Sequence, residues 1–449
     1  MNFNRMRMHF VGIGGVGMSG IAELFLYLGA KVTGSDKVTN PSIEHLKKLG
    51  ATIYVGHSEQ YAMGSDVVVY SSAINKTNPE IQWALKNRIP LIPRAEALAE
   101  LMRLKRGIAV AGTHGKTTTT SLIAQIFLEA QMSPTVVVGG RLSFMNSGAW
   151  FGSGEWFIAE ADESDGSFLR LSSEVAVITN IDNDHLDHYK TLDQLYEAFY
   201  QFASRIPFYG YVLYWGDDER LRHLFSRFPK ISFSYGFNQD NHFFCVKNHS
   251  QWDVYFQKEL LGSFEPSMKG RHNVLNCLAA WAVGFRSGIS VEVCGRALKN
   301  FQGVERRLQK LGDAHGVEFF TDYAHHPTEI RCTLEAFREM FPNRRIILVF
   351  QPHRYSRTEI CWSDFLSCFS EPDVTYLIDI YGAGEVIRHD VTSARLAQEI
   401  ASPTVGYVPN DQLFSRLRGT LRNHDAVLFM GAGDINRIGK DFVSHFQRL

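Results

Sequence analysis

Short apolar runs alternate with amphipathic stretches from the start of the chain. Residues 8–13 form an apolar run, a glycine cluster follows, residues 18–28 are amphipathic, and residues 30–34 and 66–70 are apolar again. Strand-length runs separated by helical stretches predict βαβ units and a parallel sheet. The stretch Ile89-Pro90-Leu91-Ile92-Pro93-Arg94 interrupts the pattern, because proline brings no N–H to a ladder, and a first domain boundary is expected there. A second segment carries strand-like runs at 107–110, 156–159 and 175–179, the last two closing on acids. Aromatic and polar stretches at 232–236 and 252–256 read as shorter strands, and residues 273–284 as a buried Ala/Leu-rich helix. After Arg306-Arg307 a third α/β unit is expected, with strands at 317–320, 345–350, 374–378 and 426–430. Its first helix places Ile330, Leu334, Phe337 and Phe341 at helical spacing, with Pro327 in the first turn.

The pattern predicts an α/β protein of three domains. Residues 1–94 form an N-terminal Rossmann-like domain, 95–308 a central, mostly parallel sheet of the P-loop ATPase type, and 309–449 a C-terminal Rossmann-like domain. The length of 449 residues agrees, since about 150 residues per domain gives about three. Lysine plus arginine number 46 against 47 aspartate plus glutamate, so no bulk basic field exists for nucleic acid and any anion site must be local. The six cysteines show no C-x-x-C spacing, which suits reduced thiols in a cytoplasm better than a disulfide framework or a zinc site. The N-terminal apolar segment is broken by glycines at once, and no uncharged run reaches about 18 residues, so neither a signal peptide nor membrane insertion is expected.

The densest chemistry lies in Gly112-Thr113-His114-Gly115-Lys116-Thr117-Thr118, between an apolar run and a helical pattern. Glycines let backbone N–H groups face an anion, the lysine meets terminal phosphates, and the Thr117 hydroxyl is placed to ligate Mg²⁺, so ATP is the expected nucleotide. The usual loop has a glycine where this chain has Val110. Gly12, Gly14 and Gly17 form G-x-G-x-x-G at the first strand–helix junction, and Asp36 closes the second strand. That geometry holds a pyrophosphate and suits NAD or a nucleotide sugar equally. Glu160 and His185, each in an acid-rich stretch ending a strand, join Thr117 as candidate Mg²⁺ ligands. Most neighbouring acids, Asp165 among them, read as solvated loop residues. His272, Asn273 and Asn276 open the Ala/Leu helix, and capping accounts for Asn273 but not for Asn276 one turn further in. Arg306 and Arg307 read as a phosphate clamp or as a solvated pair. In the third segment, Asp322-Tyr323-Ala324-His325-His326-Pro327 and Gln351-Pro352-His353-Arg354-Tyr355-Ser356-Arg357 follow two strands. Arginine matches a carboxylate by a planar fork, so a small carboxylic acid is a natural ligand there.

Taken in order, the glycine loop from His9 to Gly20, Gly112 to Thr118, Glu160 to Asp165, Asn180 to Asp187, His272 to Asn276, Gly303 to Arg307, Asp322 to Glu329 and Phe350 to Thr358 resemble the Mur ligases of bacterial cell-wall synthesis. The resemblance covers the whole chain, and the family's loop has the same short form, which removes the anomaly at Val110. It implies a UDP-binding N-terminal domain, with Gly12, Gly14, Gly15, Val16, Gly17, Asp36 and Ser71 toward the UDP-sugar. It implies ATP contacts from Gly112 to Thr118 and from His272, Asn273, Asn276, Arg307 and Asp322. It further implies an amino-acid pocket of Tyr323, His325, His353, Arg354 and Arg357, with Lys116, Glu160, His185 and His325 catalytic. The likeness is strongest to the branch that uses UDP-N-acetylmuramate and L-alanine with ATP and Mg²⁺. A branch adding a tripeptide shares most ATP motifs, and an idle nucleotide-binding protein on the same scaffold is a third reading. Several sister ligases carbamylate a lysine after the Asp-His pair; residues 196–206 contain none here, so no carbamylation is expected. A monomer or homodimer fits equally.

Overall fold

The computed structural model describes residues 3–71, 73–139, 149–184, 186–400 and 402–448. His185 and the Val16 side chain lie outside the described residues. The chain divides into two compact units, one of Met1–Ser267 with Leu275–Gln302, the other of Met268–Val274 with Gly303–Leu449.

The first unit holds two sheets. Strands β1 (Arg7–Val11), β2 (Lys31–Asp36), β3 (Thr52–Val55), β4 (Val67–Tyr70) and β5 (Leu91–Pro93) form a parallel sheet in the order β3-β2-β1-β4-β5. The order reverses between β1 and β4, and ligand crevices open at the carboxyl ends of strands at such a switch point. The proline-rich stretch is therefore the outermost strand, with Tyr70 opposite Pro93, and does not break the pattern. An edge position tolerates prolines because an outward-facing N–H is not needed.

The second sheet is built from β6 (Arg106–Ala111), β7 (Thr135–Val137), β8 (Ala149–Trp150), β9 (Trp156–Glu160), β10 (Val175–Ile178), β11 (Tyr211–Trp215), β12 (Ile231–Gly236), β13 (Phe243–Asn248), β14 (Gln251–Phe256) and β15 (Glu259–Phe264). Their order is β15-β14-β13-β12-β11-β10-β6-β9-β7-β8, with β8, β14 and β15 antiparallel to their neighbours. β6 lies deep in the sheet, residues 108–111 fully buried, because a strand covered on both faces needs a continuous apolar run. One buried cluster runs from Phe10 and Phe25 through Leu98 and Met102 of the helix Arg94–Met102 to Phe157 and Phe199, so the two sheets share a core.

The second unit contains β16 (Gln309–Ala314), β17 (Val317–Asp322), β18 (Ile346–Phe350), β19 (Val374–Leu377), β20 (Val405–Tyr407) and β21 (Ala426–Met430), in the order β16-β17-β21-β18-β19-β20. All but β16 run parallel. The helix Pro327–Met340 packs its Ile330, Leu334 and Phe337 on one face, and Ile435–Phe446 packs Phe442 and Val443 on the other, giving a doubly wound layer.

Candidate functional site

In the first unit β6 lies between β9 and β10, with Val110 opposite Glu160 and Ala111 opposite Ile178. The loop 112–115, Glu160 and Thr179-Asn180 thus emerge at one sheet edge. Gly112 has φ +139°, and a Cβ there would lie 1.9 Å from Thr179 Oγ1; Gly115 has φ +80°, and its Cβ would lie 2.7 Å from Asn276 Oδ1. No other residue fits either position. The strand-end residues fasten the loop. The Thr113 and His114 N–H groups donate to Asn180 O (3.1 Å) and Asn180 Oδ1 (2.8 Å), and His114 O accepts from Thr179 Oγ1 at 2.5 Å. His114 Nε2 pairs with Asp182 Oδ2 at 2.9 Å. Asn276 accepts from Thr119 Oγ1 at 3.1 Å, so its place beyond the helix cap is explained by support of this loop. The helix Lys116–Glu129 begins here, and its first N–H groups lack intrahelical acceptors.

Lys116 Nζ donates to Gly112 O (2.6 Å), Thr113 O (3.1 Å) and Glu163 Oε1 (2.7 Å). Burial pushes the ammonium pKa down, but Glu163, Glu160 and Asp162 outweigh it and hold the group above its ordinary value. Lys116 therefore stays charged. The Glu163 side chain is only 1 % exposed, an exception to the reading of the acids after Glu160 as mostly solvated. Asp165 keeps a local role, accepting from Ser167 N at 3.0 Å. Thr117 Oγ1 donates to Glu160 Oε2 at 2.9 Å, and the same oxygen accepts from Gly139 N at 2.9 Å. A hydroxyl and a carboxylate side by side beneath a phosphate loop are the hard donors Mg²⁺ takes, so these residues fit the ion.

At the first sheet's switch point Gly12 adopts φ +80°, with Ser71 Cβ 3.5 Å from where its Cβ would be. Gly15 caps the helix Val16–Tyr27. Asp36 Oδ2 accepts from Gly14 N at 2.8 Å, so this acid shapes the glycine loop from within. A Cβ on Gly17 would lie 2.5 Å from Arg94 Nη1, and Arg94 Nη2 reaches Asp162 Oδ2 at 3.0 Å. Burial raises the Asp162 carboxyl pKa, yet Ser164, Lys116 and Arg94 together bring it below its ordinary value. Arg94 thus ties the glycine-loop helix to the acids beside Lys116.

In the second unit β17 and β18 end at the same edge, and β21 lies between them. Asp322 is buried, with its oxygens accepting from Leu308 N (2.8 Å) and Ala324 N (2.7 Å), and burial raises its pKa against the pull of Arg307. Arg306 is no solvated linker residue: Nη2 donates to Gly431 O (2.9 Å) and Gly433 O (3.2 Å), and its guanidinium lies 4.6 Å from the Tyr323 ring centroid. Arg307 lies 5.4 Å from the same ring and 3.8 Å from Glu329. His325 Nδ1 lies 3.0 Å from Tyr323 O and 3.4 Å from Glu329 Oε2, so that nitrogen carries a proton. The His325 and His353 rings are 6.0 Å apart, and Arg357 Nη1 reaches His353 Nδ1 at 3.3 Å. Burial, then His325, Arg357 and Arg354, depress the His353 pKa to about 3. Burial and Arg307 lower His272 to about 4, and Asn273 Nδ2 donates to Lys269 O at 2.7 Å.

Three family models match in series: the Mur ligase family, catalytic domain, over residues 7–106; the Mur ligase middle domain over 110–284; and the Mur ligase, glutamate ligase domain over 306–433. The chain belongs to the Mur ligase family. Members of this family are ATP-dependent amide-bond-forming ligases. The chain is 48% identical over 451 aligned residues to a UDP-N-acetylmuramate--L-alanine ligase of Bdellovibrio bacteriovorus, covering 99% of this chain and 100% of the relative. A crystal structure of the UDP-N-acetylmuramate-alanine ligase of Thermotoga maritima matches with a TM-score of 0.84 at 28% identity, over 99% of this chain and 100% of that one. A murein peptide ligase of Psychrobacter arcticus shares the fold, with a TM-score of 0.75 at 23% identity over 99% of each chain. Among the described residues no helix is long and apolar enough to cross a membrane.

Sequence reasoning missed Glu163, Asp162 and Arg94. The E-x-x-E spacing of Glu160 and Glu163 was the available signal, since residues three apart after a strand can turn toward one point.

Proposed function

We propose that this chain joins L-alanine to the lactyl carboxylate of UDP-N-acetylmuramate, with ATP as phosphoryl donor. The observation that carries the reading is the largely buried Lys116, paired with Glu163 in a glycine loop beside the Thr117–Glu160 pair, in a chain that aligns end to end with UDP-N-acetylmuramate--L-alanine ligases. Residues 1–94 hold the UDP-sugar, 95–308 hold ATP, and 309–449 bring the amino acid.

The glycine loop Gly12 to Gly17, with Asp36 and Ser71 behind it, presents the N-terminus of the helix Val16–Tyr27 to the UDP pyrophosphate. Loop N–H groups 112–118 and Lys116 hold the ATP phosphates, while Asn276 fixes the loop from behind. His272, Asn273, Arg307 and Asp322 serve the nucleotide from the second unit's own residues. Thr117 and Glu160, with His185, would hold Mg²⁺, which when bound would offset the negative charge gathered as two anions approach. A lactyl carboxylate oxygen bonds to the γ-phosphorus as the bridging P–O bond to ADP breaks, leaving an acyl phosphate. The neutral amine of L-alanine then bonds to the acyl carbon, the C–O bond to phosphate breaks, and the nitrogen's proton passes to His325 Nε2. Arg354 and Arg357 hold the alanine carboxylate and His353 orients them. A cytoplasmic setting supplies both nucleotides.

The test is phosphate release by the purified chain with Mg-ATP and UDP-N-acetylmuramate, with L-alanine, a murein tripeptide or no amine. Release that depends on L-alanine and yields the UDP-sugar alanine adduct is expected. Release with the tripeptide alone would move the chain to the peptide-adding branch, and silence with every amine would overturn the ligase reading.

A further inference from the structure

Residues 381–385 follow β19 and carry none of the groups assigned to substrate, yet they grip the loop that does. His353 and Tyr381 form a lone parallel bridge, in which Tyr381 N donates to Pro352 O at 2.9 Å and Arg354 N to Tyr381 O at 2.8 Å. The second bond holds Arg354 at φ +69°, a left-handed conformation that a residue with a Cβ rarely keeps unaided. The Tyr381 ring stacks on the His353 imidazole with centroids 5.7 Å apart and planes 8° apart. Gly433 also lies against the ring, where a Cβ would come within 2.6 Å of Tyr381 Cγ. Glu385 accepts from Ser356 N (3.0 Å) and Ser356 Oγ (2.5 Å), holding the first turn of the helix Tyr355–Ile360 that carries Arg357.

Arg357 Nη1 donates to His353 Nδ1 at 3.3 Å and to His353 O at 3.4 Å. An imidazole that accepts from a guanidinium must be neutral and correctly turned, and the stacked tyrosine fixes that turn. We propose that Tyr381 is a positioning residue for the amino-acid substrate, which aims the Arg357 guanidinium by locking the His353 ring, with Glu385 anchoring the same helix at its start. This rests on the reading of His353, Arg354 and Arg357 as the amino-acid pocket. The substrate class it serves is a small α-amino acid held by its carboxylate.

Steady-state kinetics of the full chain and its Tyr381→Ala and Tyr381→Phe variants test it, each substrate varied separately. Tyr381→Ala should raise the L-alanine KM roughly 10- to 100-fold, the loss a misaimed clamp produces. Its kcat should stay within about threefold of wild type, and the KM values for ATP and the UDP-sugar within about twofold. Tyr381→Phe keeps the stack and should restore the alanine KM. An unchanged alanine KM, a parallel rise for all three substrates, or Phe as impaired as Ala would overturn the proposal. If the alanine variant does not fold, Tyr381→Leu fills the space without a flat ring and is read the same way. Wild-type protein without alanine-dependent release overturns the function reading itself, whereas an active wild type with an unaffected Tyr381→Ala overturns this inference alone.

Discussion

Lys116 pairs with Glu163 in the resting protein, and the proposed function adds a second burden, contact with phosphate during turnover, that a pair of substitutions separates. The two groups are 2.7 Å apart, with side chains 14 % and 1 % exposed. At an effective dielectric of about 20 the attraction at that distance is about 6 kcal/mol, and desolvation of both groups offsets much of it. Lys116→Met leaves the Glu163 carboxylate buried without its cation, which destabilises by about 3–5 kcal/mol in such pairs. For a folded unit of this size, at roughly 2 °C per kcal/mol, the melting temperature falls by about 6–10 °C. Loss of a charge aimed at the transferring phosphoryl group lowers kcat by about 10²–10³-fold or more. The double variant Lys116→Met with Glu163→Gln removes both charges, so calorimetry should find most of the lost melting temperature restored while phosphate release stays low. A single variant as stable as wild type, or a double variant that gains no stability over it, would refute the account of the resting pair. Recovered turnover in the double variant would refute the phosphate role.

Thr117→Val removes the hydroxyl beside Glu160 and should raise the Mg²⁺ concentration for half-maximal phosphate release by about tenfold or more, read from a metal titration at fixed ATP. Gly112→Ala forces a Cβ to 1.9 Å from Thr179 Oγ1, and should abolish nucleotide binding or solubility; adding Thr179→Ala relieves the clash but not the φ of +139°, so binding measured by calorimetry should stay weak. His272 is lowered to about 4, so between about pH 6.5 and 4 the unfolded chain takes up a proton there that the folded chain refuses, and stability drops as pH falls through that window. His272→Asn should flatten that part of the melting-temperature profile.

The glycine loop was legible because its own residues are contiguous, from Gly112 to Thr118, and two of them admit only glycine, whereas the residues that fasten it from 179–182 and 276 were not. The third segment's sheet edge was legible for a similar reason, since both strand ends announce themselves by residue type. Partners distant in sequence were not. Glu163 looks like any loop acid until the fold sets it against Lys116, and burial, which decides its character, leaves no mark on a single residue. Residues 89–94 read as an interruption, yet residues 91–93 pair as an outer-edge strand, where proline is tolerated, and the first sheet ends there. Strand order was equally hidden: β21, last in the chain, separates β17 from β18, and nothing local records that placement. Asp36 was read from its spacing alone, and the structure adds that its carboxylate is engaged by Gly14.

The support that Asn276 lends to the nucleotide loop has a consequence for synthesis on the ribosome. Thr119 and its partner are 157 residues apart. At about 5–20 residues per second, roughly 8–30 s pass between translation of the glycines and arrival of the asparagine that backs them. A nascent chain therefore displays the lysine and its glycines long before they are braced, and the brace arrives only after every strand of the surrounding sheet has been made. The complete set of contacts around this loop is therefore a late event in the life of the chain, and a polypeptide cut short before the helix Arg271–Arg286 has the glycines and the lysine without the Asn276 contact.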